Sequence, residues 1–185
     1  MFSKYQLHNF QEFIAKNKLN SDRIKHTSEL VWSYYHFAYY QMISLNESYN
    51  SFFKEAPEQN DIIISYLNKS WSYAYGMYAL LRTTLEIMST LRKMLEDTNP
   101  IDQYYEIEIK KIIDIANDVV KHPAFKHQIM SSGTQPIALS LNGEIDIVTI
   151  SDLGTFEKKE INPMKDFETV RNYIEYISEK LLIKK

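Results

Sequence analysis

The chain has 185 residues, a length that suits one domain (1–185) with its own core, and it carries 21 basic against 24 acidic residues for a net charge of −3. It has no cysteine, which excludes disulfides, thiolate metal sites and cysteine nucleophiles. The charge balance gives no global basic field for wrapping nucleic acid, no apolar run reaches the ~18 residues that span a bilayer, and the opening MFSKYQLHNF lacks the apolar core of a signal peptide, so a cytoplasmic protein with no membrane contact is expected.

Only four Gly and five Pro punctuate the chain, and most of them lie between Pro123 and Pro163, so the long stretches elsewhere favour helices. Residues 4–17 read as a short helix with Tyr5, Phe10, Phe13 and Ile14 apolar. Asn20, Ser21 and Asp22 offer a cap for a second helix. Its apolar set is Leu30, Val31, Tyr34, Phe37, Ala38, Met42 and Leu45, and Pro57 lies in the loop after it.

The third helix has the clearest pattern. Leu67, Trp71, Ala74, Tyr78, Leu81, Leu85, Met88, Arg92 and Leu95 alternate steps of four and three, the seam of a bundle helix. Arg92 is the one break, placed near the end where a long side chain is expected to reach water. Gly76 costs about 1 kcal/mol against Ala inside a helix, which predicts a close helix crossing there. Asp97 to Pro100 close this helix.

A fourth helix is predicted from Pro100 or Ile101, with Ile101, Tyr105, Ile109, Ile112, Ala116, Val119 and Val120 as its buried stripe. Pro123 disfavours helical geometry at His122, so the helix should end near Lys121. Between 136 and 161 the period changes. PIALSL, then Asn142-Gly143, then EIDIVTI, is a hairpin signature with a two-residue turn, and TFEKKEI offers a third short strand. Asn162 and Pro163 suit the N-cap and first turn of a last helix that carries Phe167, Val170, Ile174, Ile177, Leu181 and Leu182 on one face. The expected fold is mainly α: an antiparallel four- or five-helix bundle with a small β-hairpin, or three short strands, before the C-terminal helix.

The string IANDVVKHPAFKH at 115–127 sets Asn117, Asp118, Lys121 and His122 at the end of a long helix, and YALLRTTLEIMSTLRKMLE before it sets Arg82 one turn from Glu86. On these residues the chain resembles the HEPN superfamily of small helical-bundle proteins, over about residues 60–125 and the closing helix. The resemblance implies an Arg and a His in a cleft between two subunits, assisting attack of a ribose 2′-hydroxyl on the adjacent phosphate. The Arg would stabilise charge on the phosphorane and the His would move a proton. In the family four to six residues separate the Arg from the His, and here the positions so placed before His122 hold Asn117, Ala116 and Ile115.

The resemblance thus implies a HEPN-like protein with a degraded motif that acts as a homodimer, with RNA or a cognate protein partner of a toxin–antitoxin or phage-defence kind. His122, Arg82 and Glu86 are the candidate catalytic residues, and Asn117, Lys121 and Asp118 the candidate anion- or RNA-binding ones. Two other readings stay open. One is a divergent endoribonuclease, independent of metal, that uses His122 with Arg82. The other is a pure interaction scaffold. The plainer role of His122 is to cap a helix C-terminus beside Asp118, and that of Arg82 and Glu86 is an intrahelical pair.

No metal or cofactor is expected. Asp114, Asp118 and His122 do step by four along one helix, and His26, His36 or His127 offer a further imidazole, but Glu-x-x-His and His-Glu-x-x-His patterns are absent. His36 among Trp32, Tyr34, Tyr35, Tyr39 and Tyr40 offers a cage or a base-stacking platform, with core and interface packing as the simpler reading.

Overall fold

Two long stretches without a proline fold back on each other. The computed structural model describes residues 5–17, 21–55, 59–121, 133–139, 144–150 and 156–183. Among them are α1 (His8–Asn17), α2 (Asp22–Glu55), α3 (Asn60–Met94), α4 (Gln103–Lys121), β1 (Gly133–Leu139), β2 (Ile145–Ile150), β3 (Phe156–Ile161) and α5 (Pro163–Ile183). α2 and α3, at 34 and 35 residues, are each about 50 Å long at 1.5 Å per residue and pack antiparallel. The fold is a mainly α bundle, as the periodicity predicts.

The apolar stripes form one core. α3 buries Trp71, Ala74, Tyr78, Leu81, Leu85 and Met88 of the predicted seam, and adds Met77 and Leu91. The stripe is wider than a two-helix seam because α3 also meets α4 and α5. Leu67, expected in the seam, is only half-buried. α5 buries Phe167, Val170, Ile174, Ile177 and Leu181 as predicted, and Tyr173 as well. Buried hydroxyls satisfy themselves on their own helix: Thr84 donates to the Leu80 carbonyl at 2.8 Å and Ser178 to Ile174 at 2.6 Å. Ser48 and Ser70 meet each other across α2 and α3 at 3.2 Å.

Gly76 is explained by a side chain. A Cβ there would lie 3.1 Å from Cδ and Oε1 of Gln41, so the glycine makes room for a glutamine that α2 lays across α3.

The helix ends follow from local chemistry. The Asn162 side chain accepts from Lys165 N at 3.0 Å, the predicted cap, and Pro163 opens α5. α4 begins two or three residues later than predicted. Asp102 caps it by accepting from Tyr104 N at 2.8 Å, so Pro100 and Ile101 belong to the connection. α3 stops in a Schellman turn. Glu96 takes a positive φ of 51°, the Glu96 amide donates to the Lys93 carbonyl, and the Asp97 amide donates to the Arg92 carbonyl.

The strands form an antiparallel sheet in the order β1-β2-β3. The β1–β2 register shifts between Pro136 and Ala138, beside the one residue that has no N–H to give a ladder. Ile145 pairs with Ile161, and both are buried, which seats that end of the sheet on the bundle just before α5. The Asn142-Gly143 turn lies outside the described residues.

α1 is fastened to α5. Glu175 accepts from the backbone N–H groups of Asn9 and Phe10 at 3.0 and 3.2 Å, so a carboxylate from another helix caps the α1 N-terminus. One turn earlier on α5, Arg171 reaches the Gln6 carbonyl at 3.3 Å, and Tyr35 donates to the Tyr5 carbonyl at 2.7 Å.

Candidate functional site

Three polar arrangements emerge from the bundle, and only the first is one that the spacing of the sequence points to. Arg82 and Glu86 sit one turn apart on α3, and Arg82 Nε donates to Glu86 Oε1 at 2.9 Å. The Arg82 side chain is 28% exposed and that of Glu86 60%. Water therefore screens the pair, which leaves it an intrahelical contact worth about 0.2–0.5 kcal/mol. The desolvated cleft that would raise its electrostatic strength is not formed around it among the described residues.

The α4 residues of the same motif are less exposed. Asn117 and Asp118 are half-buried, and the Asn117 Oδ1 is buried with no hydrogen-bond partner among the described residues. Lys121 closes α4. His122 lies outside the described residues, and with it the last member of the Asp114, Asp118, His122 ladder. Among the described residues no three His, Asp or Glu side chains come close enough to hold a metal ion. His36 makes no cage. Its ring lies tilted against Trp32 with centroids 4.1 Å apart, and its Nδ1 lies 2.7 Å from the Trp32 carbonyl, which can only accept, so Nδ1 carries the proton.

The second arrangement is internal. Arg92 does not reach water as expected. Its Nε donates to Asp97 at 2.8 Å and its Nη2 to the Asn99 carbonyl at 2.8 Å, with the Arg92 side chain 13% and the Asp97 side chain 1% exposed. Asp97 in turn accepts from the Asn99 amide at 3.1 Å. In a Schellman turn these two positions normally make a hydrophobic contact, and here an ion pair replaces it. Burial pushes the neighbouring Tyr173 phenol up, and the Arg92 guanidinium partly opposes that.

Deeper in the bundle, the fully buried Tyr78 of α3 donates its hydroxyl to Asp166 in the first turn of α5. Burial pushes the Asp166 carboxyl up to about 6 from 3.8. The Tyr78 hydroxyl and Lys165 oppose the rise, and Glu108 from α4 adds to it. Burial, with Asp166 beside it, raises Tyr78 well above the phenol range.

The third arrangement is a cleft of about 450 Å³, within the ~300–1,000 Å³ that small-molecule sites occupy. One face of α2 forms its floor through Tyr39, Met42, Ile43, Asn46, Glu47 and Asn50, and Tyr5 and Met164 close it from the segments before α1 and at the start of α5. The Tyr5 and Tyr39 rings lie 5.6 Å apart, and each packs against Phe167. Burial, with the Tyr5 and Tyr40 phenols nearby, raises Tyr39, which keeps its hydroxyl neutral. The sequence singles out Tyr39 for its aromatic neighbours but gives no sign of the cleft, whose walls come from positions more than 150 residues apart.

Exposed apolar side chains lie elsewhere on the bundle. Phe37 and Tyr40 are 54% and 60% exposed on α2, and Tyr104 and Ile107 are exposed on α4. No described helix is long and apolar enough to cross a membrane. Comparison with protein-family models, curated proteins and solved structures finds no match to this chain.

Proposed function

We propose that the protein is a HEPN-like bundle that works by association, with itself and with a protein partner, and that it does not cleave RNA. The observation that carries this reading is the state of Arg82. It is held by Glu86 at 2.9 Å on a water-exposed helix face, while the positions where the resemblance would place the family Arg hold Ile115, Ala116 and Asn117. A phosphorane carries more negative charge than the phosphate that precedes it, and its stabilisation needs a cation aimed at it in a dry site. A guanidinium shared with a carboxylate in water supplies little of that.

A protein partner is favoured over RNA by the surface. The chain has a net charge of −3 and four arginines, whereas Phe37 and Tyr40 expose aromatic area of the kind enriched at protein interfaces. Phe37 and Tyr40 are one turn apart, so both belong to the same side of α2. Sedimentation velocity over a range of concentrations tests the self-association. The reading expects a dimer that the double variant Phe37→Ser, Tyr40→Ser dissociates. A chain that stays monomeric at all concentrations removes the homodimer. Binding of labelled RNA that weakens steeply with salt turns the partner from protein to nucleic acid.

A further inference from the structure

We propose that the cleft between Tyr5, α2 and Met164 binds a small organic cation, an ammonium group carried on an apolar or aromatic body. Its walls are apolar and aromatic, and among the described residues its lining holds one charge. Tyr5 and Tyr39 present two ring systems 5.6 Å apart, and the Met42 and Met164 side chains supply a polarisable wall opposite in kind to a polar rim. On that rim stand Asn46 and Glu47. Glu47 is exposed, and among the described residues its carboxylate has no hydrogen bond or ion pair. No described lysine, arginine or histidine lines the cleft.

Each feature selects the same ligand chemistry. Aromatic faces carry negative potential and attract a cation within about 6 Å of the ring. A carboxylate at the mouth attracts the same charge and repels an anion. The apolar volume is larger than an ammonium needs, so the rest of the ligand must be hydrocarbon or ring. Tyr39 stays a neutral phenol below its raised titration and does not add a competing negative charge at neutral pH. The cleft is also pre-formed. The Tyr5 carbonyl is held by the Tyr35 hydroxyl at 2.7 Å, and the Tyr5 ring is wedged against Phe167 at 5.8 Å, so little ordering is left for the ligand to induce.

The test uses the full-length chain with methyl-labelled methionine and three probes of similar shape: benzylamine, benzyl alcohol and benzoate. Benzylamine should shift the Met42 and Met164 methyl signals and leave Met88, which is fully buried, unmoved. It should bind about tenfold more tightly than benzyl alcohol, and benzoate should not bind. Glu47→Gln should cost benzylamine about tenfold and leave benzyl alcohol unchanged, while Glu29→Gln, outside this cleft, should change neither. Three results each overturn the proposal: Met42 and Met164 methyls that stay still with benzylamine, benzoate or benzyl alcohol binding as tightly as the amine, or an unchanged benzylamine affinity in Glu47→Gln. The probe series on the unmodified chain decides the question even if the variant does not fold.

Discussion

Arg82 and Arg92 stand on the same helix, each a few residues before a carboxylate, and the structure treats them in opposite ways. Arg82 meets Glu86 along the side of α3, where 60% of the glutamate side chain faces water. Arg92 meets Asp97 across the end of α3, where the chain reverses and only 1% of the aspartate is exposed. The distances are nearly equal, at 2.9 and 2.8 Å. The difference is solvent. A straight helix leaves an i, i+4 pair on its flank, whereas a Schellman turn folds the next segment over the pair and takes it out of water. Similar spacing thus yields a surface contact in one place and a fold-closing clamp in the other, and the arginine that draws attention by its motif is the energetically lesser one.

Disrupting the two pairs and their neighbours should give a graded series. The largest loss is expected from Arg92→Met. It leaves the Asp97 carboxylate buried without its partner, at a cost of about 3 kcal/mol, read as a lowered urea midpoint. Next comes the other buried carboxylate. Asp166 titrates at about 6 in the fold against 3.8 unfolded, so the folded state holds its proton more tightly. The stability this group contributes is complete below about pH 4 and is lost as pH rises to about 6. The loss is about 2–3 kcal/mol. Asp166→Asn should abolish that slope, be the more stable chain at pH 7, and keep an acceptor for the Tyr78 hydroxyl. Urea titrations of both chains at pH 4, 5, 6 and 7 check this, and a difference that grows in the opposite direction contradicts it.

Smaller effects are expected at the helix ends. Glu175→Ala removes the carboxylate that caps α1 from α5 and should cost about 1–2 kcal/mol. The α1 amides should then exchange hydrogen faster than those of α3. Glu96→Gly relieves a side chain held at a φ of 51° and should stabilise by about 0.5–1 kcal/mol, seen as a raised melting temperature. Arg82→Ala should be the smallest, under about 0.5 kcal/mol by the same urea assay. An Arg82 variant that destabilises as much as Arg92→Met would erase the contrast.

Much of the fold is legible in the sequence, because hydrophobic period is a local property. The four-and-three alternation of α3 and the Asn162-Pro163 start of α5 both appear where the pattern puts them. What resists reading depends on residues distant in sequence or on a single side chain. Arg92 reads as a solvated tail because the segment that covers it comes after the helix. The pattern starts α4 early because Pro100 and Ile101 fit its stripe, while the Asp102 side chain fixes it. Gly76 suggests a close approach of another helix, but the pattern does not name the side chain that fills the space, which is Gln41 of α2. Of the candidate site, Arg82 and Glu86 do pair, and Asn117 and Asp118 lie together on α4. The cleft is invisible to any window, since Tyr5 and Met164 meet only after α1 docks on α5.

The absence of RNA cleavage stands or falls on end-group analysis of a labelled RNA incubated with the full chain. Intact RNA is expected, the same with the parent and with Arg82→Ala. Products ending in a 2′,3′-cyclic phosphate, formed by the parent and lost in Arg82→Ala and His122→Ala, would refute it and restore the nuclease reading.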